Sequence, residues 1–241
     1  MYKNNIQEIS KQIKENDIVL DIGGWFCPFN RANWVIDAMP YETRRKSGIE
    51  GVTKEYFSKQ TWLQMDICDR KSLPFRDKEI DFVICSHILE DIRDPIFVCS
   101  EISRIGKRGY IEAPSKIAEL SLGIESRHYA GYCHHRWIIE IKDNKIIFLN
   151  KPHFIHSHWK FHFPYNYGKR LTENDSIQWL FWNGAFEFEE RIAIDYEGLS
   201  NGIEKFVRSE HVYPNCRYKI DNLKKLVKKR CVLFISNKTL H

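Results

Sequence analysis

The sequence lacks the long apolar run that a membrane-spanning helix requires. No apolar segment among its 241 residues approaches the roughly 18 residues needed to cross a bilayer. Residues 1–16 are polar with spaced isoleucines, which is not the pattern of a signal peptide. We therefore expect a cytoplasmic protein without a membrane span.

Paired cysteines, internal repeats and low-complexity linkers are also missing. The seven cysteines are scattered and form no Cys-x-x-Cys pair, which favours reduced thiols over a disulfide framework. The length is sufficient for one sizeable core. We therefore predict a single domain over residues 1–241.

The sequence has no strong excess of charge of one sign: basic residues only slightly outnumber acidic ones, and the net charge is +5. This balance suits a small anionic substrate, but it does not indicate nucleic-acid binding. A basic helix is predicted over residues 217–230, where a phosphate track is one interpretation. Because Ile220, Leu223 and Val227 require a packed side, a solvated basic face is favoured.

What the sequence does contain is a series of short apolar segments, several of which end in glycine or an acid. Such segments lie at residues 17–24, 34–38, 61–66, 81–86 and 109–114. Helical patterns occur at residues 4–15 and 95–105. Strands that alternate with helices predict a parallel, doubly wound sheet, whose ligands bind at the carboxyl ends of the strands.

The segment between the first two strands is unusual for such a sheet. Residues 25–33 contain Pro28 and leave room for a loop or a single helical turn. A dinucleotide-binding site would need Gly-x-Gly-x-x-Gly at the start of a helix, and residues 25–33 do not provide it. A dinucleotide-dependent oxidoreductase is therefore disfavoured. Residues 41–60 are charged, and we interpret them as a mobile excursion around the site.

The pattern changes after Pro114. Residues 137–149 predict a β-hairpin that turns at Asp143-Asn144. Residues 151–184 are rich in aromatic residues and histidine, with weak periodicity. Late strands are predicted at residues 186–192 and 231–235. The predicted class is thus a Rossmann-like α/β fold with a hairpin and an aromatic and histidine-rich insertion.

Several of these segments resemble a known family. They are Asp21-Ile22-Gly23-Gly24, Asp37, Asp66-Ile67, Leu73-Pro74-Phe75-Arg76-Asp77, Asp81-Phe82-Val83, Ser86-His87-Ile88-Leu89-Glu90-Asp91, Asp94-Pro95 and residues 101–110. Together they resemble class I S-adenosylmethionine-dependent methyltransferases, and in particular their small-molecule "type 11" group, over about residues 15–115. The family usually has Gly-x-Gly where this chain has Gly-Gly-Trp, and a histidine where it has Asp91.

The resemblance implies S-adenosylmethionine as methyl donor and S-adenosylhomocysteine as product. The residues expected to bind the cofactor are Asp21, Gly23, Gly24, Trp25, Asp37, Asp66, Ile67 and Ser86. Asp21 would hold the ammonium group, Asp37 both ribose hydroxyls, and Asp66 the adenine amino group. For a strand-end acid, the alternative is a cap or turn residue.

Histidines are the candidate bases, because a positioned base assists methylation of a hydroxyl. The candidates are His87, His135 and His134, with His135 preferred because alternation places it on the same face as Trp137. A helix cap or a packing role is the alternative for His87. Candidate acceptor-binding residues are Arg127, His128, Tyr132 and Arg136.

No metal site is predicted. The histidines at 153, 156, 158 and 162 permit one by spacing, but no His-Glu-x-x-His motif accompanies them. The resemblance leaves a divalent metal open without favouring it.

The segment from Tyr132 to Trp137 is faintly similar to methyltransferases of bacterial surface-polysaccharide clusters. We therefore expect O-methylation of a sugar, nucleotide sugar or phosphate-bearing precursor in capsule polysaccharide biosynthesis. Residues 1–115 would bind the cofactor, and residues 116–241 would bind and cover the acceptor. The alternatives are an RNA or protein methyltransferase and a non-catalytic cofactor-binding module. The oligomeric state is left open.

Overall fold

The computed structural model describes residues 1–44 and 54–211. The predicted basic helix at 217–230 and the predicted strand at 231–235 lie outside the described residues.

Nine strands and six α-helices make up the described structure. The strands are β1 (Val19–Ile22), β2 (Trp34–Asp37), β3 (Trp62–Gln64), β4 (Phe82–Ser86), β5 (Arg108–Pro114), β6 (Trp137–Lys142), β7 (Lys145–Asn150), β8 (Ile177–Asn183) and β9 (Glu187–Glu190). The helices are α1 (Lys3–Gln12), α2 (Pro95–Ile105), α3 (Lys116–Glu119), α4 (Tyr165–Gly168), α5 (Glu173–Ser176) and α6 (Tyr196–Glu210).

The central sheet has six strands in the order β3-β2-β1-β4-β5-β8. The five strands from β1 to β5 are parallel, and β8 pairs antiparallel with β5. The predicted α/β fold with a mostly parallel sheet is therefore confirmed. Strand β8 was not predicted, because its sequence Ile-Gln-Trp-Leu-Phe-Trp-Asn has too little polar alternation to be distinguished from the surrounding aromatic segment.

The connections agree with the local sequence signals. No helix lies between β1 and β2, as Pro28 indicates. Helix α2 begins after Asp94, whose Oδ1 accepts a hydrogen bond from the Phe97 amide at 3.0 Å, and Pro95 takes the first helical position. A loop therefore joins β1 to β2, whereas helix α2 lies between β4 and β5.

A second sheet of three strands, β6-β7-β9, covers one face of the first. The hairpin of β6 and β7 is confirmed, and Asp143 and Asn144 at its turn have φ angles of 50° and 62°, which suit a type I′ turn. Trp137, Ile139 and Phe148 of this hairpin share a core with α2 and with β1.

The opposite face of the central sheet is covered by α1, whose Ile9 packs with Phe82 and Tyr110. A third core joins Ile203 and Val207 of α6 to residues around 120–163. Helix α6 was not predicted; Gly198 and Gly202 lower the helix propensity of its sequence.

Two glycines should respond to alanine in opposite directions. A Cβ on Gly109 in β5 would lie 2.2 Å from the carbonyl oxygen of Val83, so Gly109→Ala forces β4 and β5 apart. We expect it to lower the free energy of unfolding by about 1–3 kcal/mol. A Cβ on Gly202 in α6 meets nothing within 4 Å, so Gly202→Ala should raise it by about 0.5–1 kcal/mol. Urea unfolding measures both, and shifts of the same sign would contradict this packing.

Candidate active site

The carboxyl ends of β1, β2, β4 and β5 meet at one edge of the sheet, where open α/β sheets bind ligands. Backbone hydrogen bonds connect the loops that follow these strands. The Gly23 amide donates to the Ile36 carbonyl at 2.8 Å, and the His87 amide donates to the Glu112 carbonyl at 2.9 Å. Side chains at these four strand ends are thus held at fixed relative positions.

Asp21 lies beneath the loop that follows β1. Its side chain is buried, and Oδ2 accepts a hydrogen bond from the Phe29 amide at 2.8 Å. Burial raises the pKa of Asp21 to about 7. This contact makes Asp21 a support of the loop, and its contact with the ammonium group of the donor stays a prediction.

The loop itself depends on glycine. Gly23 has a φ of +80°, and a Cβ there would lie 2.0 Å from side-chain atoms of Ile88. A Cβ on Gly24 would lie 2.8 Å from Oδ2 of Asp21. The Trp25 indole then donates to the Thr43 carbonyl at 3.0 Å, across the mouth of the loop. Both glycines are therefore required by packing within the protein, and their approach to the donor stays a prediction.

Asp37 ends β2 and connects two loops. Its Oδ2 accepts a hydrogen bond from the Trp25 amide at 2.9 Å, and its Oδ1 accepts one from the Met39 amide at 2.8 Å. A carboxylate has about four lone-pair positions, so each oxygen retains one for a further donor. This arrangement fits a carboxylate that receives the two hydroxyls of a ribose.

Asp66 follows β3 and is half-exposed. Its Oδ2 pairs with Arg93 Nη1 at 2.5 Å, and its Oδ1 accepts a hydrogen bond from the Cys68 amide at 2.8 Å. The Arg93 guanidinium lowers the pKa of Asp66. Ile67 beside it is buried. The adenine contacts of this pair stay predictions.

Glu112 is a fully buried carboxylate at the end of β5, and sequence reasoning missed it. Its Oε1 accepts a hydrogen bond from the Ser86 hydroxyl at 3.0 Å and lies 3.0 Å from His87 Nε2, while its Oε2 accepts from the Tyr2 amide at 2.9 Å and from the Tyr110 hydroxyl. Burial alone would raise the pKa of Glu112, but these hydrogen bonds outweigh it and lower the pKa to about 2. An acid within the apolar segment that forms β5 is the signal that could have identified it.

His87 follows β4 with a φ of 57°, in the left-handed region. Its Nε2 faces Glu112, and its Nδ1 lies 3.4 Å from Oε1 of the buried Glu90. Burial opposes the charged ring, but the two carboxylates outweigh it and raise the pKa of His87 to about 9. The imidazole is therefore protonated at pH 7. Both ring nitrogens face carboxylates, and the role of His87 as a base stays a prediction.

His135 is buried and oriented by a carboxylate. Its Nδ1 lies 2.5 Å from Oε1 of Glu119, whose Oε2 pairs with Lys151 Nζ at 2.6 Å. The Tyr132 ring stacks on His135 with centroids 4.4 Å apart. The other ring nitrogen, Nε2, lies 3.7 Å from Oδ1 of Asp91. His135 and Trp137 are both buried, as the alternation predicted.

His134 lies beside His135 and is exposed. Its Nε2 lies 3.9 Å from the same Oδ1 of Asp91, and its Nδ1 lies 3.8 Å from Oε1 of Glu125. Asp91 Oδ1 is buried and has no hydrogen-bond partner within residues 1–44 and 54–211. Burial raises the pKa of Asp91. Asp91, His134 and His135 are hereafter the histidine–aspartate cluster.

A family model described as a methyltransferase domain matches residues 38–111, which run from the end of β2 into β5. This match covers the strand ends described above. Residues 38–111 are therefore similar to a methyltransferase domain, and the mostly parallel sheet fits the class I fold of such domains. Methyltransferases of this fold use S-adenosylmethionine, and Asp37 and the Gly23–Gly24 loop fit that cofactor. No curated protein matches the chain.

Two solved structures are similar to parts of this chain. One, from Haloferax volcanii, is a complex of the Trm112 methyltransferase activator with a protein described as a methyltransferase (22% identity, TM-score 0.35, 46% of this chain and 50% of that one). The other, from Listeria monocytogenes, is described as an S-adenosylmethionine-dependent methyltransferase (15% identity, TM-score 0.33, 46% and 55%). This chain thus spans about half the length of each.

Of the four predicted acceptor residues, only Tyr132 packs against the histidine–aspartate cluster. Arg127 is exposed and lies over the Tyr165 ring at 4.7 Å, and His128 is exposed in the same loop. Arg136 is exposed, and its amide donates to the Glu90 carbonyl at 2.7 Å.

The histidines between residues 153 and 162 lie outside this cluster. Among the residues that the structure describes, His153, His156, His158 and His162 do not bring three ligand atoms together. His156 Nδ1 instead accepts a hydrogen bond from the Ala130 amide at 3.0 Å. Within the same residues, no helix is long and apolar enough to cross a bilayer.

We expect His87→Asn to remove a pH-dependent part of the stability of the protein. Because folding raises the pKa of His87 from 6.5 to about 9, its stabilisation is complete below about pH 6.5 and is lost as pH rises through 9. The stability advantage of the wild type over the variant should fall by on the order of 1 kcal/mol across this range, since solvent screens the half-exposed ring. Asparagine tolerates the left-handed conformation.

Urea unfolding at pH 6, 7.5 and 9 measures this advantage. His153→Gln, which removes an exposed histidine elsewhere, is the matched control and should retain the wild-type pH dependence. A difference between wild type and His87→Asn that does not change with pH would contradict a protonated His87.

Proposed function

We propose that the protein transfers the methyl group of S-adenosylmethionine to an oxygen of a small acceptor, such as a sugar, a nucleotide sugar or a phosphate-bearing glycan precursor. The observation that carries this proposal is the histidine–aspartate cluster. Asp91 lies five residues beyond the end of β4, and the two histidines immediately precede β6. Polar groups that can activate a hydroxyl therefore adjoin the edge at which this domain type binds its donor.

When bound, the donor supplies a methyl group on a sulfonium sulfur. The transfer forms a carbon–oxygen bond as the carbon–sulfur bond breaks, and the acceptor hydroxyl loses its proton. Alignment of the two reactants is worth up to ~7–11 kcal/mol in favourable cases. The task of this chain's residues is thus to hold both partners and to stabilise negative charge on the acceptor oxygen.

Donor binding is assigned to the strand ends of residues 1–115. Asp37 would accept the ribose hydroxyls, the glycine loop would admit the amino-acid portion, and Asp66 with Ile67 would face the adenine. Ser86 and Trp25 lie on the same edge through their contacts with Glu112 and Asp37. This assignment is supported by the free lone pairs of Asp37.

Acceptor binding is assigned to residues 116–241. The exposed guanidinium groups of Arg127 and Arg136 flank the histidine–aspartate cluster in sequence, and the chain carries a net charge of +5. Both features support an anionic acceptor. The five cysteines of the described ranges are all free, which supports a reducing cytoplasmic location.

We expect Asp37→Ala to weaken the binding of S-adenosylhomocysteine by at least about tenfold. The variant would lose two hydrogen bonds to a charged acceptor, each worth ~1.5–3 kcal/mol. Titration calorimetry measures the affinity, and Asp77→Ala, which removes an exposed acid from a remote turn, is the control.

Because Asp37 also accepts two backbone amides, thermal unfolding without ligand separates loss of binding from loss of the fold. Unchanged affinity in a folded Asp37→Ala variant would reject this donor site.

The acceptor class is tested with methyl-labelled donor and a panel of sugar phosphates, nucleotide sugars, RNA and protein. We expect label in a sugar-type acceptor, because the cluster carries groups that can accept a hydroxyl proton, and Arg127 and Arg136, close to the two histidines in sequence, suit an anion. Label in RNA or protein only would replace our proposal. Donor binding without label in any acceptor would indicate a non-catalytic module.

A further inference from the structure

The spacing within the histidine–aspartate cluster is that of ligands around an ion. Asp91 Oδ1 lies 3.7 Å from His135 Nε2 and 3.9 Å from His134 Nε2, which is too long for hydrogen bonds. Metal bonds to imidazole nitrogen and carboxylate oxygen are about 2.0–2.2 Å long, so two ligands of one ion lie about 3–4 Å apart. We propose that Asp91, His134 and His135 bind a divalent transition-metal ion.

Buried negative charge without partners supports this site independently. Asp91 Oδ1 and both carboxylate oxygens of Glu90 are buried and have no hydrogen-bond partner among the described residues. Glu90 is only 1% exposed, and its one charged contact is His87 at 3.4 Å. Buried charges are normally paired or coordinate metals. Since Glu90 faces His87, Asp91 is the acid of this segment whose charge a bound cation would neutralise.

One of the two histidines has a carboxylate within hydrogen-bond distance behind it. Oε1 of Glu119 lies 2.5 Å from Nδ1 of His135, whereas Oε1 of Glu125 lies 3.8 Å from Nδ1 of His134, which is too long for a hydrogen bond. Metal-ligating histidines almost always donate their other N–H to a carboxylate, a carbonyl or water, which fixes the tautomer. With Nδ1 of His135 directed to Glu119, its Nε2 presents a lone pair towards Asp91.

The ligands are also held rigidly. The Glu90 carbonyl accepts hydrogen bonds from the amides of Arg136 and Trp137 at 2.7 and 3.1 Å. These bonds fix the segment with Asp91 to the segment with the two histidines. Lys151 holds Glu119 in place and donates to the Tyr132 carbonyl at 2.7 Å.

Two imidazole nitrogens and one carboxylate oxygen favour ions such as Zn²⁺, Co²⁺, Fe²⁺ or Mn²⁺ over Ca²⁺, which prefers oxygen ligands. The side chains of His134 and Asp91 are 55% and 38% exposed, so further coordination positions face solvent. A role of the ion in methyl transfer rests on the proposed function. In that role the ion would bind the acceptor oxygen and lower the pKa of its hydroxyl, and the hydroxyl proton would leave to solvent as the methyl group is transferred.

Titration of the chelator-treated full chain with Co²⁺, followed by visible absorption and calorimetry, tests the site. We expect the wild type and the His153→Gln control to bind one equivalent of Co²⁺. The His134→Gln and Asp91→Asn variants should lose this binding. Glu119→Gln should weaken this equivalent by about 10–100-fold, because it removes only the outer partner of His135. His134 is exposed, so its variant should fold, and circular dichroism checks each protein.

A second, exposed group of possible ligands, Glu125, Cys133 and His134, shares His134 with the proposed site but does not include Asp91. The Asp91→Asn variant therefore distinguishes binding at the two sites. Equal binding by wild type, His134→Gln and Asp91→Asn, or no binding by the wild type, would overturn the proposal. The titration uses neither donor nor acceptor. Failure to bind Co²⁺ would therefore leave methyl transfer intact, and failure to bind S-adenosylhomocysteine would leave the metal site intact.

Discussion

The site depends first on one buried carboxylate. Glu112 accepts hydrogen bonds from three places: the Ser86 hydroxyl in β4, the Tyr110 hydroxyl in β5, and the Tyr2 amide just before α1. A buried charge is tolerated only when such partners replace water. The strand ends that would bind the donor are consequently fixed to one another, and α1 is held against the same point through Asn5, which donates to the Tyr110 hydroxyl.

This constraint also decides the state of the first histidine. Because Glu112 and Glu90 face its two ring nitrogens, His87 is a charged donor whose positive charge is matched to the acids around it. The left-handed backbone at His87 is costly for a residue other than glycine, and such conformations persist where surrounding contacts determine them. This is why we assign activation of the acceptor, in the proposed function, to the histidine–aspartate cluster.

The sequence was sufficient for the cofactor half of the fold because its signals are local. Five apolar segments, the loop marked by Pro28 and the Asp94–Pro95 helix start all appear where predicted. The hairpin was equally clear, since Asp143 and Asn144 suit its turn. Strand β8 and helix α6 were missed because an unbroken aromatic segment and two helix glycines conceal the periods of 2 and 3.6 residues.

The partners of the site residues could not be read from the sequence, because they come from distant segments. Glu119 lies 16 positions before His135 and Lys151 lies 16 positions after it, yet the three side chains form one series of contacts.

Asp91 stands where the resembling family usually has a histidine, and that difference changes the chemistry. A carboxylate facing two histidines, with further carboxylates behind them, forms a set of cation ligands, whereas a third imidazole would add no negative charge. The residue at which this chain departs from the family pattern is thus the one that gives the cluster its charge.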